Sequence, residues 1–197
     1  MLILSRILVS KNFRKILLVI ICACLLFFTV CFGYVTVLKK YVYPLDYKKE
    51  VFESSKEFNL DKALVFAVIK TESSFNQKAV SEKGAIGLMQ ITKKTGEYIA
   101  NKLGEKEFNL YNPKTNVRYG CYYLNYLIKT FGNVNTALCA YNAGEGNVRN
   151  WLKNPQNSKD GKSLCKIPFK ETREYVDKIE KTFAKYTKLY GKILDKS

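Results

Sequence analysis

Between Lys15 and Lys39 the chain runs for 23 residues without a charge, and this stretch organises everything around it. Residues 16–38 are mostly Leu, Ile, Val and Phe. As an α-helix rising 1.5 Å per residue they would extend roughly 35 Å, enough to span a bilayer. A cleavable leader has a shorter apolar core followed by small residues, whereas Phe27, Phe28, Val30 and Phe32 carry this run past any such site. Ile21-Cys22-Ala23-Cys24 loosely matches a lipid-attachment box, but acylation at Cys24 would leave a long apolar tail behind it. The chain therefore divides into an N-terminal segment 1–15, a transmembrane helix 16–38, a juxtamembrane linker and helix 39–57, and one globular domain over 58–192. Arg6, Lys11, Arg14 and Lys15 on one side of the run are balanced by Lys39, Lys40, Lys48 and Lys49 on the other, so charge alone does not orient it.

No acidic residue precedes Lys39, and residues 39–197 hold 29 basic against 17 acidic residues, a net charge of +12. Such a surface attracts polyanions: nucleic acid, acidic lipid, or a wall rich in carboxylate and phosphate. Ordinary solvation by lysine accounts for it equally well. Histidine is absent, which excludes His-based triads and disfavours a transition-metal site, so no cofactor or metal is expected. Cys121, Cys139 and Cys165 show no CxxC spacing and are odd in number, so they form no closed disulfide framework. Cys121 and Cys139 fall on apolar helical faces and read as small core residues.

Helical signals recur along the domain, and no strand-length alternation stands out. Tyr47, Val51 and Phe58 share one face. Asp61 caps a helix over the apolar residues 63–69. A further helix runs from Thr92 or Lys93 to Leu103 and stops at Gly104. Asn112-Pro113 opens another, with Val117, Cys121, Leu124, Ile128 and Phe131 on its buried stripe and Gly132 at its end. Residues 135–143 and 148–152 make two short helices around a Gly144/Gly146 break, residues 153–166 make a polar loop, and a last helix over 169–190 buries Val176, Ile179, Phe183 and Tyr190. The fold class is mainly α.

Glu72 ends the apolar helix Ala63-Leu-Val-Phe-Ala-Val-Ile-Lys-Thr-Glu, where the core would open into a cleft. Desolvation penalises a carboxylate, so a Glu there stays protonated near neutrality and can donate to a leaving oxygen. Position alone leaves a surface carboxylate near a helix end as an equally good reading. What strengthens Glu72 is its company: Glu72-Ser73, Gly84-Ala-Ile-Gly87-Leu-Met89-Gln90, Ala140-Tyr141-Asn142-Ala143-Gly144 and Glu171-Thr-Arg-Glu-Tyr175-Val. In this order and spacing the series resembles the soluble lytic transglycosylase family, over residues of about 58 to 190. Each motif is weak singly.

The resemblance implies a lysozyme-like helical domain with a central cleft. It matches Glu72 to the catalytic acid and base, and Ser73 and Ser81 to polar residues beside the substrate. Met89 matches the cleft wall and Gln90 a sugar-binding amide. Tyr141 and Asn142 match residues facing the catalytic carboxyl, with the Tyr141 hydroxyl able to orient it, and Tyr175 matches a cleft tyrosine. Cys139 departs from the small apolar residue usual there, and Glu82-Lys83 place charges before Gly84. Glu82, Glu97 and Glu145 are candidates for a second carboxylate, each in a polar turn or an exposed helix. A lone acid suffices when the substrate's 2-acetamido oxygen supplies the nucleophile.

The implied activity is cleavage of peptidoglycan between N-acetylmuramic acid and N-acetylglucosamine, leaving a 1,6-anhydro end, by an enzyme anchored in the cell membrane with its domain outside. A hydrolytic muramidase of similar architecture, or an idle wall-binding component of a secretion, conjugation or sporulation assembly, are the alternatives. Partners expected are glycan strands, the membrane and, in the second alternative, other envelope proteins. Nucleic acid is not expected, since only Lys185-Tyr-Thr-Lys-Leu-Tyr-Gly-Lys interleaves aromatic and basic residues.

Overall fold

The computed structural model describes residues 11–195, so most of the expected N-terminal segment lies outside the described residues. Two units meet between Pro44 and Leu45. In the first, helix α1 (Lys11–Val37) passes into one π-helical turn, Leu38–Val42. Within Arg14–Val42 the mean hydropathy reaches 3.0 over 18 residues, and Leu18, Phe28 and Phe32 are among many side chains left exposed. The hydroxyls of Thr29 and Thr36 donate within the helix, to Leu26 O and Phe32 O at 2.8 Å each. This helix is long and apolar enough to cross a membrane, with its few polar groups satisfied internally.

The second unit is nearly all helix: α2 (Lys48–Glu57), α3 (Lys62–Ser73), α4 (Lys93–Leu103), α5 (Pro113–Phe131), α6 (Val134–Ala143), α7 (Glu145–Leu152) and α8 (Lys170–Leu194). Helix α3 is its axis. Asp61 accepts from the amides of Ala63 and Leu64 at 2.7 and 3.3 Å, and every residue from 63 to 69 is buried, as a helix apolar on all sides must be. Helix α8 lies along it, with the Phe66 and Tyr186 rings stacked at 5.5 Å. The Lys62 ammonium donates to Leu194 O at 2.6 Å, placing a cation on the carbonyl end of α8. Helix α5, capped by Asn112 and ended by Gly132 at φ 65°, packs against α2 and α6 and buries Val117, Cys121 and Leu124.

Several boundaries depart from the sequence reading for physical reasons. Helix α2 belongs to this unit, since Val51 is buried and Phe58 meets Tyr122 edge to face at 5.7 Å, so the domain begins before residue 58. A two-stranded antiparallel hairpin, β1 (Ala85–Ile86) with β2 (Ile91–Thr92), is too short to leave an alternating pattern. Helix α7 starts at Glu145 because only Gly144, at φ 89°, breaks the chain. Phe183 is half-buried, and Tyr186 takes the core position expected for it.

The hairpin is pinned by one residue that sequence reasoning passed over. Asn116 is buried on α5, donates to Ile86 O and Leu110 O at 2.8 Å each, and accepts from the Met89 amide at 2.7 Å. Gly87, at φ 80°, lies so close that a Cβ there would come within 2.3 Å of the Asn116 amide nitrogen. Asn116→Ala strands an amide and two carbonyls away from water, a loss of about 2–4 kcal/mol. Calorimetry should show Tm falling by roughly 5–15 °C.

Candidate active site

Helix α3 delivers Glu72 to its C-terminal turn, where the chain swings away through Ser74 and Phe75, both at positive φ (50° and 68°). Phe75 is buried against Phe66, with centroids 6.3 Å apart, which holds this costly reversal in place. Glu72 thus stands at the edge of the core and lines a cleft of about 390 Å³. Ser81, Glu82, Lys83, Ala85, Gln90 and Thr92 form one wall, and Tyr141, Asn142 and Glu171 line the rest.

Burial pushes the Glu72 carboxyl up from its ordinary 4.5 to about 7, against the opposing pull of a hydrogen bond from Tyr175 and the charge of Lys178. The Tyr175 hydroxyl donates to Glu72 Oε1 at 2.6 Å. Three residues on along α8, Lys178 Nζ reaches Thr71 O at 3.5 Å. One face of α8 therefore supplies both groups that steady the anion when it forms.

The two cleft amides are set in complementary ways. Gln90, itself at φ 50°, gives its Nε2 to Gly87 O and Ala79 O at 2.8 and 3.3 Å, leaving its carbonyl oxygen to accept from a ligand. Asn142 accepts the buried Thr172 hydroxyl on Oδ1 at 2.7 Å, leaving Nδ2 to donate. A secondary amide such as an acetamido group needs one of each.

Other expected residues hold different posts. Met89 is fully buried; its side chain fills the space beside Gly120, where an added Cβ would meet Sδ at 2.3 Å, so it braces the cleft wall from behind and touches no ligand. The Ser73 hydroxyl donates to Leu88 O at 2.8 Å and stitches α3 to the hairpin, outside the cleft lining. Tyr141 lines the cleft but gives its proton to Met89 O at 2.8 Å, so Tyr175 takes the orienting role expected of it. Ser81 lines the cleft and accepts from the Ala85 amide at 3.0 Å. Glu171 and Thr172 were read only as part of the motif around Tyr175, and Lys178 went unnoticed. Only their i, i+3 and i, i+4 spacing around Tyr175 on one helix could have signalled them.

This arrangement, one desolvated acid under a tyrosine in an amide-lined cleft, coincides with a known sequence family. The transglycosylase SLT domain family model matches residues 49–164. The chain belongs to that family. Its SLT domain is similar to the soluble lytic murein transglycosylase of Salmonella typhimurium, 34% identical over 155 residues that cover 76% of this chain and 24% of that protein. The membrane-bound lytic murein transglycosylase C of Yersinia pestis is 29% identical over 164 residues, covering 69% of this chain and 46% of that one. Among solved structures, the 70-kDa soluble lytic transglycosylase of Escherichia coli superposes with a TM-score of 0.67 at 31% identity, covering 76% of this chain and 25% of that chain. An inactive Glu-to-Gln mutant of the Pseudomonas aeruginosa enzyme superposes at 0.66 with 32% identity, covering 74% of this chain and 24% of that one. The chain thus spans about a quarter of the length of its soluble relatives. The SLT domain has the lysozyme-like fold of these neighbours.

The raised Glu72 pKa has a consequence for stability. In the unfolded chain the carboxyl ionises near 4.5 and in the fold near 7, so between these values the folded state holds the extra proton and stability falls as pH rises. Glu72→Gln should be neutral at pH 4 and, above pH 7, more stable than the parent by about 3 kcal/mol. Paired denaturant titrations at the two pH values measure the difference.

Proposed function

We propose that this chain is a peptidoglycan lytic transglycosylase, cleaving the β-1,4 bond between N-acetylmuramic acid and N-acetylglucosamine with Glu72 as general acid and then base. The observation that carries the reading is that burial raises the Glu72 carboxyl toward neutrality inside the cleft, and among the described residues no second carboxylate is placed to work with it. Glu82 and Glu171 are exposed on the cleft rim, the latter 3.9 Å from Lys83. Glu145 is tied to Arg149 Nη2 at 2.5 Å, and Glu97 lines a separate depression. The substrate class is supported by the names of the relatives and by a neighbour solved in complex with bulgecin A, and the role of Glu72 by the inactive Glu-to-Gln relative.

The steps balance without water. Glu72 gives its proton to the bridging oxygen, the C1–O4 bond breaks, and the glucosamine side leaves as an alcohol. The 2-acetamido oxygen of the muramoyl residue attacks C1 as the bond opens, taking the place of the missing carboxylate nucleophile. Gln90 and Asn142, with one acceptor and one donor turned to the ligand, are suited to hold that acetamido group. The Glu72 carboxylate, steadied by Tyr175 and Lys178, then takes the proton of the C6 hydroxyl. O6 closes on C1 as the C1–O(acetamido) bond breaks, which regenerates the 2-acetamido group, yields the 1,6-anhydro ring and restores the protonated acid. A hydrolytic muramidase would instead require a water placed by a base.

Helix α1 is proposed to anchor the chain as a single span with the SLT domain outside the cell membrane, where the substrate lies. The membrane-bound relative supports this placement.

Digestion of purified peptidoglycan by the full-length protein in detergent, followed by mass analysis, should give muropeptides lighter by one water than hydrolysis products. Glu72→Gln should lower kcat by about 10²- to 10⁴-fold; a Gln variant with full turnover would overturn the assignment. The rate should fall as pH passes about 7 and the acid loses its proton. Lys178→Met removes a charge that favours the anion, so this alkaline limb should move to higher pH.

A further inference from the structure

Helix α8 serves the core with one face and carries a row of lysines on another. Lys181, Lys185, Lys188 and Lys192 repeat at spacings of four, three and four, so at 3.6 residues per turn they fall within an arc of roughly 60°. All four are exposed, on the side away from the buried Ile179, Tyr186 and Tyr190. Lysines elsewhere on the unit face acids, as Lys49 does Glu53 and Lys170 does Glu174. Among the described residues no carboxylate lies within ion-pair distance of these four, although Asp177 and Asp195 stand at either end of the row. Like charges at such spacings repel and weaken a helix, so the row gains nothing inside the fold.

Two observations point to what meets it. Apolar side chains flank the row toward the end of the helix, with Ile193 44% exposed and Leu189 half-buried. Cations beside apolar groups are what a helix resting on a bilayer surface presents. The chain also enters this unit beside the same end of α8. Lys62, at the start of α3, donates to Leu194 O, and the Tyr190 hydroxyl is raised by burial first and then by the charge of Asp46. Only residues 43–45 separate Asp46 from the end of the apolar span Arg14–Val42, at most roughly 14 Å of extended chain.

We propose that the lysine row of α8 docks on the anionic phospholipid headgroups of the bilayer that α1 spans. The inference rests on the reading of α1 as a membrane anchor. The four ammonium groups meet lipid phosphates, while Leu189 and Ile193 turn toward the acyl boundary. Because α8 also carries Tyr175, docking along its length holds the Glu72 cleft in one attitude to the membrane.

The test uses the full-length protein reconstituted into vesicles of phosphatidylcholine, alone or mixed equally with phosphatidylglycerol. A membrane-impermeant acylating reagent reports lysine accessibility by peptide mass. On the mixed vesicles Lys181, Lys185, Lys188 and Lys192 should react about fivefold more slowly than on phosphatidylcholine, while Lys106 and Lys129, exposed elsewhere on the unit, should be unchanged. Salt at about 1 M should abolish the difference. Lys185→Gln combined with Lys188→Gln should leave the melting curve unaltered and return Lys181 and Lys192 to their phosphatidylcholine rates. Equal rates on both vesicles, in protein that resists alkaline extraction, overturn the docking and leave the anchor intact. Release of the protein by alkaline carbonate overturns both. Protection of the row on phosphatidylcholine vesicles by added polyphosphate, as strong as that by phosphatidylglycerol, overturns lipid docking in favour of a site for soluble polyanions.

Discussion

The interaction on which the structure turns is the hydrogen bond between Tyr175 and Glu72, made where α3 and α8 pack together. A carboxyl at the edge of an apolar core is costly to ionise, and the same desolvation that raises its pKa to about 7 makes it a proton donor at neutral pH. The tyrosine keeps it from being orphaned and fixes its direction. Stability and the proposed chemistry pull in opposite senses here: the anion weakens the fold, yet the proposed reaction needs that anion midway. Lys178 offsets part of the conflict from the solvent side of the same helix.

Around this carboxyl the cleft is rigid because its polar groups are committed elsewhere. Asn116 binds two backbone groups of the hairpin and Leu110 O before α5, Ser73 binds Leu88 O, and Tyr141 binds Met89 O. The segment Gly87-Leu-Met-Gln90 is thereby held from three helices at once. Gln90 can then sit at φ 50°, a conformation costly for a residue with a Cβ, since its surroundings leave no alternative. Preorganisation of this kind lets an acid and two amides act without moving.

Charge and anchoring set the wider context. On the proposed reading, a span like α1 would hold residues 39–197, with their net charge of +12, in the vicinity of a bilayer. A strongly basic surface there favours polyanions, a wall rich in anionic groups among them.

Helix positions were legible because they are written in local code. Asp61, Asn112-Pro113, Gly104 and Gly132 cap or stop helices through their own side chains or lack of one, and the apolar residues 63–69 declare a buried helix whatever surrounds them. Glu72 stood out for the same reason, as a carboxyl at the end of such a helix. Roles that depend on contacts between distant segments were not legible. Met89 reads equally as core or cleft until α5 places Gly120 against it, and Asn116 is one polar residue on an apolar stripe until the hairpin folds over it. Which tyrosine serves the acid was likewise decided by geometry, since Tyr141 and Tyr175 are chemically identical and only helix packing brings one of them within 2.6 Å. Sequence alone thus determined the elements and singled out the candidate acid, because capping and amphipathic burial act over a few residues. Tertiary structure decided the partners of that acid, because a hydrogen bond spanning 103 residues exists only once α3 and α8 have met.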